Sequence, residues 1–146
     1  MAYSTITDVE IAAGGERALR ELSDVNSDNA VNAAVVESAI AESDAVINTY
    51  VHKRYGVDLV APVPPAIRTL SASMAVFTLK SRRRNLLNEV DVQLQQQRID
   101  MLGKFAKGET SLGVTPIAGK SEYVADSATA RPTDKDVSRE NLKGFW

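Results

Sequence analysis

Three stretches of this chain repeat their apolar residues every three or four positions, the period of one face of an α-helix. The first, from about Asn29 to Arg54, carries Ala33, Val36, Ile40, Ile47 and Val51, with Asp44 interrupting the stripe. The second starts near Pro65, repeats Ile67, Leu70, Met74 and Phe77, and ends around Arg84 to Asn88. The third, from about Glu89 to Lys107, sets Val90, Leu94, Met101 and Phe105 on one face, with Gln95, Gln96, Gln97 and Arg98 mostly off it. Plentiful alanine and few aromatic residues favour helix over sheet in the same way. Such stripes must pack on one another, which predicts a small bundle.

The ends of these helices are marked. Lys53 and Arg54 fall in a last turn, where cations meet the negative end of the helix dipole. Gly56 suits the left-handed position that closes a helix. Pro65 is a favoured first-turn proline, and Gly108 closes the third helix. The segment "YGVDLVAPVPPAIRTL", Tyr55 to Leu70, joins the first helix to the second. Its three prolines cut the freedom of the linker and favour an extended path. It reads as a device that fixes the angle between two helices, not as a catalytic loop.

Ahead of the bundle, "ITDVEIA" reads as a helix start. Thr7 is placed to cap and Glu10 to reach back, with Ile6 and Ile11 as a hydrophobic staple. Gly14 and Gly15 end that helix, "ERALREL" makes a second short one, and "SDVNSDN" is a cluster of turn residues. The expected fold is therefore all-α: three long helices with a short N-terminal helical pair, over residues 1–112. From Gly113 to Trp146 the character changes. Apolar residues are scattered among three glycines and two prolines without a sustained period. Such a tail is too polar to fold alone and is expected to be extended, lying on neighbouring subunits or partners.

Several classes of function are disfavoured. There is no cysteine, so disulfides, thiolate catalysis and zinc–thiolate sites are excluded. The single histidine, His52, cannot build the usual histidine metal site, and spacing fixes no serine or carboxylate partner beside it. Glu37, Glu42 and Asp44 lack the Glu-x-x-His pairing of di-iron bundles and read as a solvated face. "AGGE" lacks the spacing and lysine of a phosphate loop. No enzyme activity and no cofactor are expected. The opening "MAYSTITDVEIAAGG" shows no basic segment followed by an apolar core, and no stretch is apolar enough to span a bilayer, so no membrane partner is expected. A formal net charge of −2 gives no global pull toward nucleic acid.

Two features remain as candidate interfaces. Lys80, Arg82, Arg83 and Arg84 form the densest basic run, at a helix end. They suit the helix dipole, the carboxylates of a neighbour, or phosphates. No aromatic residue is interleaved with them, so a stacking platform for single strands is not indicated. The ending "LKGFW" carries Leu142, Phe145 and Trp146 on a polar stem, side chains that are costly in water and effective in a partner's pocket.

With these segments in view, the chain resembles the Mu-like prophage group of head–tail connector (adaptor) proteins of tailed bacteriophages. The resemblance rests on "YSTITDVEIAAGGERALRELSD", then on "VVESAIAESDAVINTYVHKRYGVDL" with its Arg-Tyr helix end. It continues through the Pro-Pro helix start of "VPPAIRTLSASMAVFTLKSRR", the turn in "MLGKFAKGETSLG" and the close "SRENLKGFW". Gly113 to Arg131 matches least. The resemblance implies a structural virion protein at the head–tail neck, made in the host cytoplasm. Twelve copies would form a ring under the portal, extend the channel through which genomic DNA passes unread, and dock the next neck or tail component. It implies no catalytic residue. Arg139, Leu142, Phe145 and Trp146 become the expected portal contact, and Arg82, Arg83 and Arg84 a second interface. The alternative from the residues alone is a small helical nucleic-acid-binding regulator using the arginine run.

Overall fold

The structure, a computed structural model, describes residues 1–55, 59, 61–83 and 86–111. Every regular element among them is helical: α1 (Ile6–Ala13), α2 (Glu16–Ser23), α3 (Ala33–Tyr55), α4 (Pro65–Arg82) and α5 (Glu89–Ala106). Three long helices and a short N-terminal pair are thus present as the periodicity predicts. Gly56 and everything from residue 112 onward lie outside the described residues, and the expected extended tail with them.

The start of α1 differs from expectation. Thr5 is the cap: its hydroxyl accepts from the Asp8 N–H at 3.2 Å, and its own N–H donates to the Asp8 carboxylate at 2.8 Å. The Thr7–Glu10 box does not form. The preceding residues explain why. Tyr3 and Ser4 are pinned to α3 and α4, so Thr5 is the first residue free to cap, and a helix entered there buries Val9 completely. The expected staple fails with the box, leaving Ile11 74% exposed. Gly14 and Gly15, both at positive φ, then turn α1 into α2, a conformation strained for any residue with a Cβ.

The other helix ends follow the sequence more closely. Pro65 opens α4. Asn88 and Asp91 form a capping box at the start of α5. At its other end the Gly108 N–H donates to Phe105 and the Glu109 N–H to Lys104, with Gly108 at φ 81°. The first long helix starts at Ala33, a turn later than expected, with the Asn32 side chain accepting from the Val35 N–H. Residues 24–29 are held outside the helix because the Asp24 carboxylate accepts from the N–H groups of Asp28 and Asn29.

The core has two lobes. One joins α1 and α2 to the N-terminal part of α3 and the C-terminal part of α4, through Val9, Leu19, Leu22, Val36, Ile40, Val76 and Leu79 among others. The other joins Tyr3 and Leu59 to Ile47, Val51, Ile67, Leu70, Met74, Leu102 and Phe105. Between the lobes lies a buried polar knot. Asp44 accepts from the Tyr3 N–H at 2.8 Å and the Ser71 hydroxyl at 2.6 Å, and Ser71 lies 2.8 Å from the Ser4 hydroxyl. Asp44 therefore interrupts the apolar stripe by design of the knot, not as part of a solvated face, and burial pushes its carboxyl pKa up.

The stripe read on α5 is only half used. Phe105 is fully buried and Met101 half-buried, but Val90 and Leu94 are 59% and 42% exposed. The fully buried partner of Phe105 is Leu102, which the reading missed. The cause is length: α3 and α4 offer apolar surface to the C-terminal part of α5, whereas Asp91, one turn in, is tied to Lys80 instead.

Candidate functional site

The antiparallel course of α3, α4 and α5 gives the bundle two ends, and the candidate residues divide between them. At one end stand the last turn of α3, the first turn of α4 and the last turn of α5. Here Arg54 donates to the carbonyls of Phe105 and Thr110 at 3.2 and 3.1 Å, tying the end of α3 to the end of α5 and the turn after it. Its guanidinium lies 4.9 Å from the Phe105 ring centre and 5.4 Å from that of Tyr55. The Arg-Tyr pair, the Pro-Pro helix start and the turn at Gly108 are thus far apart in sequence and gathered at one end of the fold.

The other end gathers the basic run. Lys80 and Asp91 pair at 2.8 Å, both largely shielded. Arg82 pairs with Glu42 at 2.5 Å and donates to Ser38 at 3.1 Å. Arg83 donates to the backbone carbonyl of Asp24. Arg84 lies outside the described residues, as do Arg139, Leu142, Phe145 and Trp146. The first use of Lys80 and Arg82 is therefore within the chain: they bind α4 to α5 and to α3. Arg83 has a different setting. With Arg17, Arg20, Glu21, Asp24 and Asn29 it lines an open pocket of about 460 Å³. Arg20 donates to the Asn29 carbonyl at 3.5 Å, and the exposed Arg17 bridges the exposed Glu21 at 3.3 Å. The sequence reading missed Arg17 and Arg20 as companions of Arg83, because only the fold of α2 against α4 brings them there.

Lowering of the Asp91 pKa, chiefly by the Lys80 hydrogen bond, makes the Lys80–Asp91 pair pH-sensitive. Its contribution is whole above the ordinary carboxyl value of 3.8 and is lost as the pH falls through the depressed folded value. Lys80→Ala should cost about 1 kcal/mol at neutral pH, and the difference from the parent should shrink below pH 3.8. Urea unfolding of both chains at pH 7 and pH 3 reads this directly; an unchanged difference would show that Lys80 acts by packing alone.

A second concavity runs along the opposite flank of α3. It is an open groove of about 650 Å³ between the N-terminal arm and α3, lined by Met1, Ser4, Ile6, Glu37, Ala41 and Asn48 among others, with Asp44 at its base. Both Asp44 oxygens are already engaged by the knot. Among the described residues no group of three or more histidine, aspartate or glutamate side chains is placed to hold a metal ion, and no helix is long and apolar enough to cross a membrane. What the described surface offers is contact chemistry: an arginine-lined corner, a small-residue groove and the uncovered flank of α5.

Comparison with known proteins adds one finding. The family model described as "Bacteriophage Mu, Gp36" matches residues 3–129. The match runs through all five helices and on into the segment after α5. It takes in Gly113 to Thr129, most of the Gly113 to Arg131 stretch where the resemblance read from the sequence was thinnest, and it stops before "SRENLKGFW". No curated protein matches the chain.

Proposed function

We propose that this chain, which belongs to the bacteriophage Mu Gp36 family, is a head–tail connector, a non-catalytic adaptor that forms a ring under the portal. The observation that carries the reading is the family match over most of the chain, which makes it a phage structural or morphogenesis protein. The all-helical fold agrees with that role. Twelve copies would extend the DNA channel and present the docking surface for the next neck or tail component. Heterologous contacts close into a ring only when each subunit keeps one wedge angle. The Arg54 clamp and the knot at Asp44 give the three long helices that fixed relation. The C-terminal residues Arg139, Leu142, Phe145 and Trp146 would seat in the portal.

The test is co-sedimentation of the full chain with the portal ring of its own phage, against a chain lacking Leu142 to Trp146. Stoichiometric binding by the full chain, at least about tenfold weaker in the truncated one (about 1.4 kcal/mol), is the expected result. A full chain that ignores the portal would sink the connector reading; equal binding by both would remove the C-terminus from it. One observation favours a second reading. Arg17, Arg20 and Arg83 line one pocket, and Arg20 and Arg83 are held by backbone carbonyls with no carboxylate partner among the described residues. A nucleic-acid-binding protein would use them on phosphates, and its mark would be retention of DNA that falls steeply with salt.

A further inference from the structure

The fold divides the basic run at the end of α4. Lys80 and Arg82 are neutralised by Asp91 and Glu42. Arg83 is not spent in this way. It joins Arg17 and Arg20 of α2 around the open pocket of about 460 Å³, whose other lining residues are Glu21, Asp24 and Asn29. Every lining side chain is polar, so the pocket suits a charged ligand and offers an apolar one little. Three guanidinium groups against two carboxylates leave it one net positive charge.

We infer that this corner is a binding site for a phosphate group, with Arg20 and Arg83 as its fixed donors and Arg17 as a movable one. Arg20 and Arg83 are half-buried, and each is steered by a neutral backbone carbonyl, that of Asn29 and of Asp24 respectively. A carbonyl neutralises no charge and leaves the other donors of the guanidinium fork for a further acceptor. The Asp24 carboxylate is engaged elsewhere: it accepts from the N–H groups of Asp28 and Asn29 at 3.2 and 3.0 Å. Asp24 is also the residue that closes α2. Arg83 on its carbonyl therefore meets the negative end of that helix, which would otherwise repel an anion. Arg17 stands one turn before Arg20 on the same face of α2. Its bridge to Glu21 is exposed on both sides, is worth little in water, and exchanges for a phosphate oxygen at small cost.

The number of donors selects phosphate over carboxylate. A carboxylate has two oxygens and is satisfied by one guanidinium in a bidentate pair. Three guanidinium groups, drawn from α2 and the end of α4, match the larger set of oxygens on a tetrahedral phosphate. The mouth is open, so it admits a free phosphate or one in a nucleic-acid backbone. The site is argued from its own residues and does not depend on the connector role.

The test titrates the full-length protein with inorganic phosphate at constant ionic strength, following the arginine Nε–H signals by NMR. The expected result is saturable movement of the Arg17, Arg20 and Arg83 signals. The signal of Arg68, exposed near the start of α4, should stay in place. Arg20→Gln should weaken phosphate binding about tenfold, the loss of one charge-assisted contact. Arg17→Gln should weaken it about threefold, and Arg68→Gln should leave it unchanged. Arg83 also joins α4 to α2, so the test rests on Arg20 and Arg17, whose bonds reach only their own helix and the turn after it. A short DNA duplex in place of phosphate separates the two sources. Movement of the same signals assigns the backbone phosphodiester; movement with phosphate alone assigns a free phosphate or phosphomonoester. Absence of saturation with phosphate, movement spread evenly over all arginines, acetate binding as tightly as phosphate, or Arg20→Gln equal to the parent would overturn the inference.

Discussion

Phe105→Ala should lower the unfolding free energy by about 3–5 kcal/mol, the range for emptying a fully buried aromatic site. Phe105 is entirely buried and packs with Leu102, Val51, Ile67 and Met74 in the lobe that holds α5 to α3 and α4. Its ring also meets Tyr55 at 5.9 Å between centres and lies under the Arg54 guanidinium. Truncation therefore opens a cavity and removes the surface that orients Arg54. The Arg54 hydrogen bond to the Phe105 carbonyl uses backbone and survives the substitution only if the end of α5 stays in place. Thermal or urea unfolding gives the magnitude. A loss below about 1 kcal/mol would mean that α5 contributes little to the cooperative unit, contrary to its burial.

The second large effect is expected at Asp44. Asp44→Ala removes the carboxylate that accepts from the Tyr3 N–H and from the Ser71 hydroxyl, which keeps Ser4 within reach. A cost of about 2–3 kcal/mol follows from leaving buried donors unsatisfied. Asp44→Asn keeps one acceptor oxygen and should cost less. The pH dependence distinguishes the two roles of the group. Burial raises the Asp44 pKa above its ordinary 3.8, the hydrogen bonds from Ser71 and Tyr3 opposing it. The folded state thus binds the proton more tightly than the unfolded one. The parent chain loses stability from this group as the pH rises from 3.8 through the raised folded value, and nothing further beyond it. Asp44→Asn abolishes that loss. Unfolding curves from pH 4 to pH 8 would show a flatter profile for Asp44→Asn; parallel profiles would mean that the carboxyl titrates as if solvated.

The helices were legible in the sequence because their evidence is local. Periodic apolar residues, Pro65, Gly108 and the turn cluster at Ser23 to Asn29 each mark a helix or a break within a few positions, and the structure follows them to within a turn. What escaped was decided by neighbours distant in the chain. Two capping boxes compete at Thr5 and Thr7, and the choice falls to Thr5 because Tyr3 and Ser4 are anchored on Asp44 and Ser71. Asp44 read as a blemish on a stripe because nothing nearby in sequence announces Ser71. Val90 and Leu94 read as core because periodicity shows that a face is apolar, not how far the opposing surface extends. The basic run was legible as a run. Its division into Lys80 and Arg82, spent on Asp91 and Glu42, and Arg83, grouped with Arg17 and Arg20, was not.

The hydrogen-bonded knot between the two lobes has a further consequence. Helices that meet through valine, isoleucine, leucine and alanine alone can slip past one another by a turn, since one methyl group replaces another at little cost. Two hydroxyls and a carboxylate have no such substitute one turn away. Ser71 on α4 and Asp44 on α3 therefore act as an index mark between the two longest surfaces of the bundle, with Tyr3 and Ser4 as the latch that reads it. In any closed assembly of identical copies, an angular error in one subunit recurs at every joint and the circle fails to meet. Burying a carboxylate is a local expense that purchases the same angle in every copy.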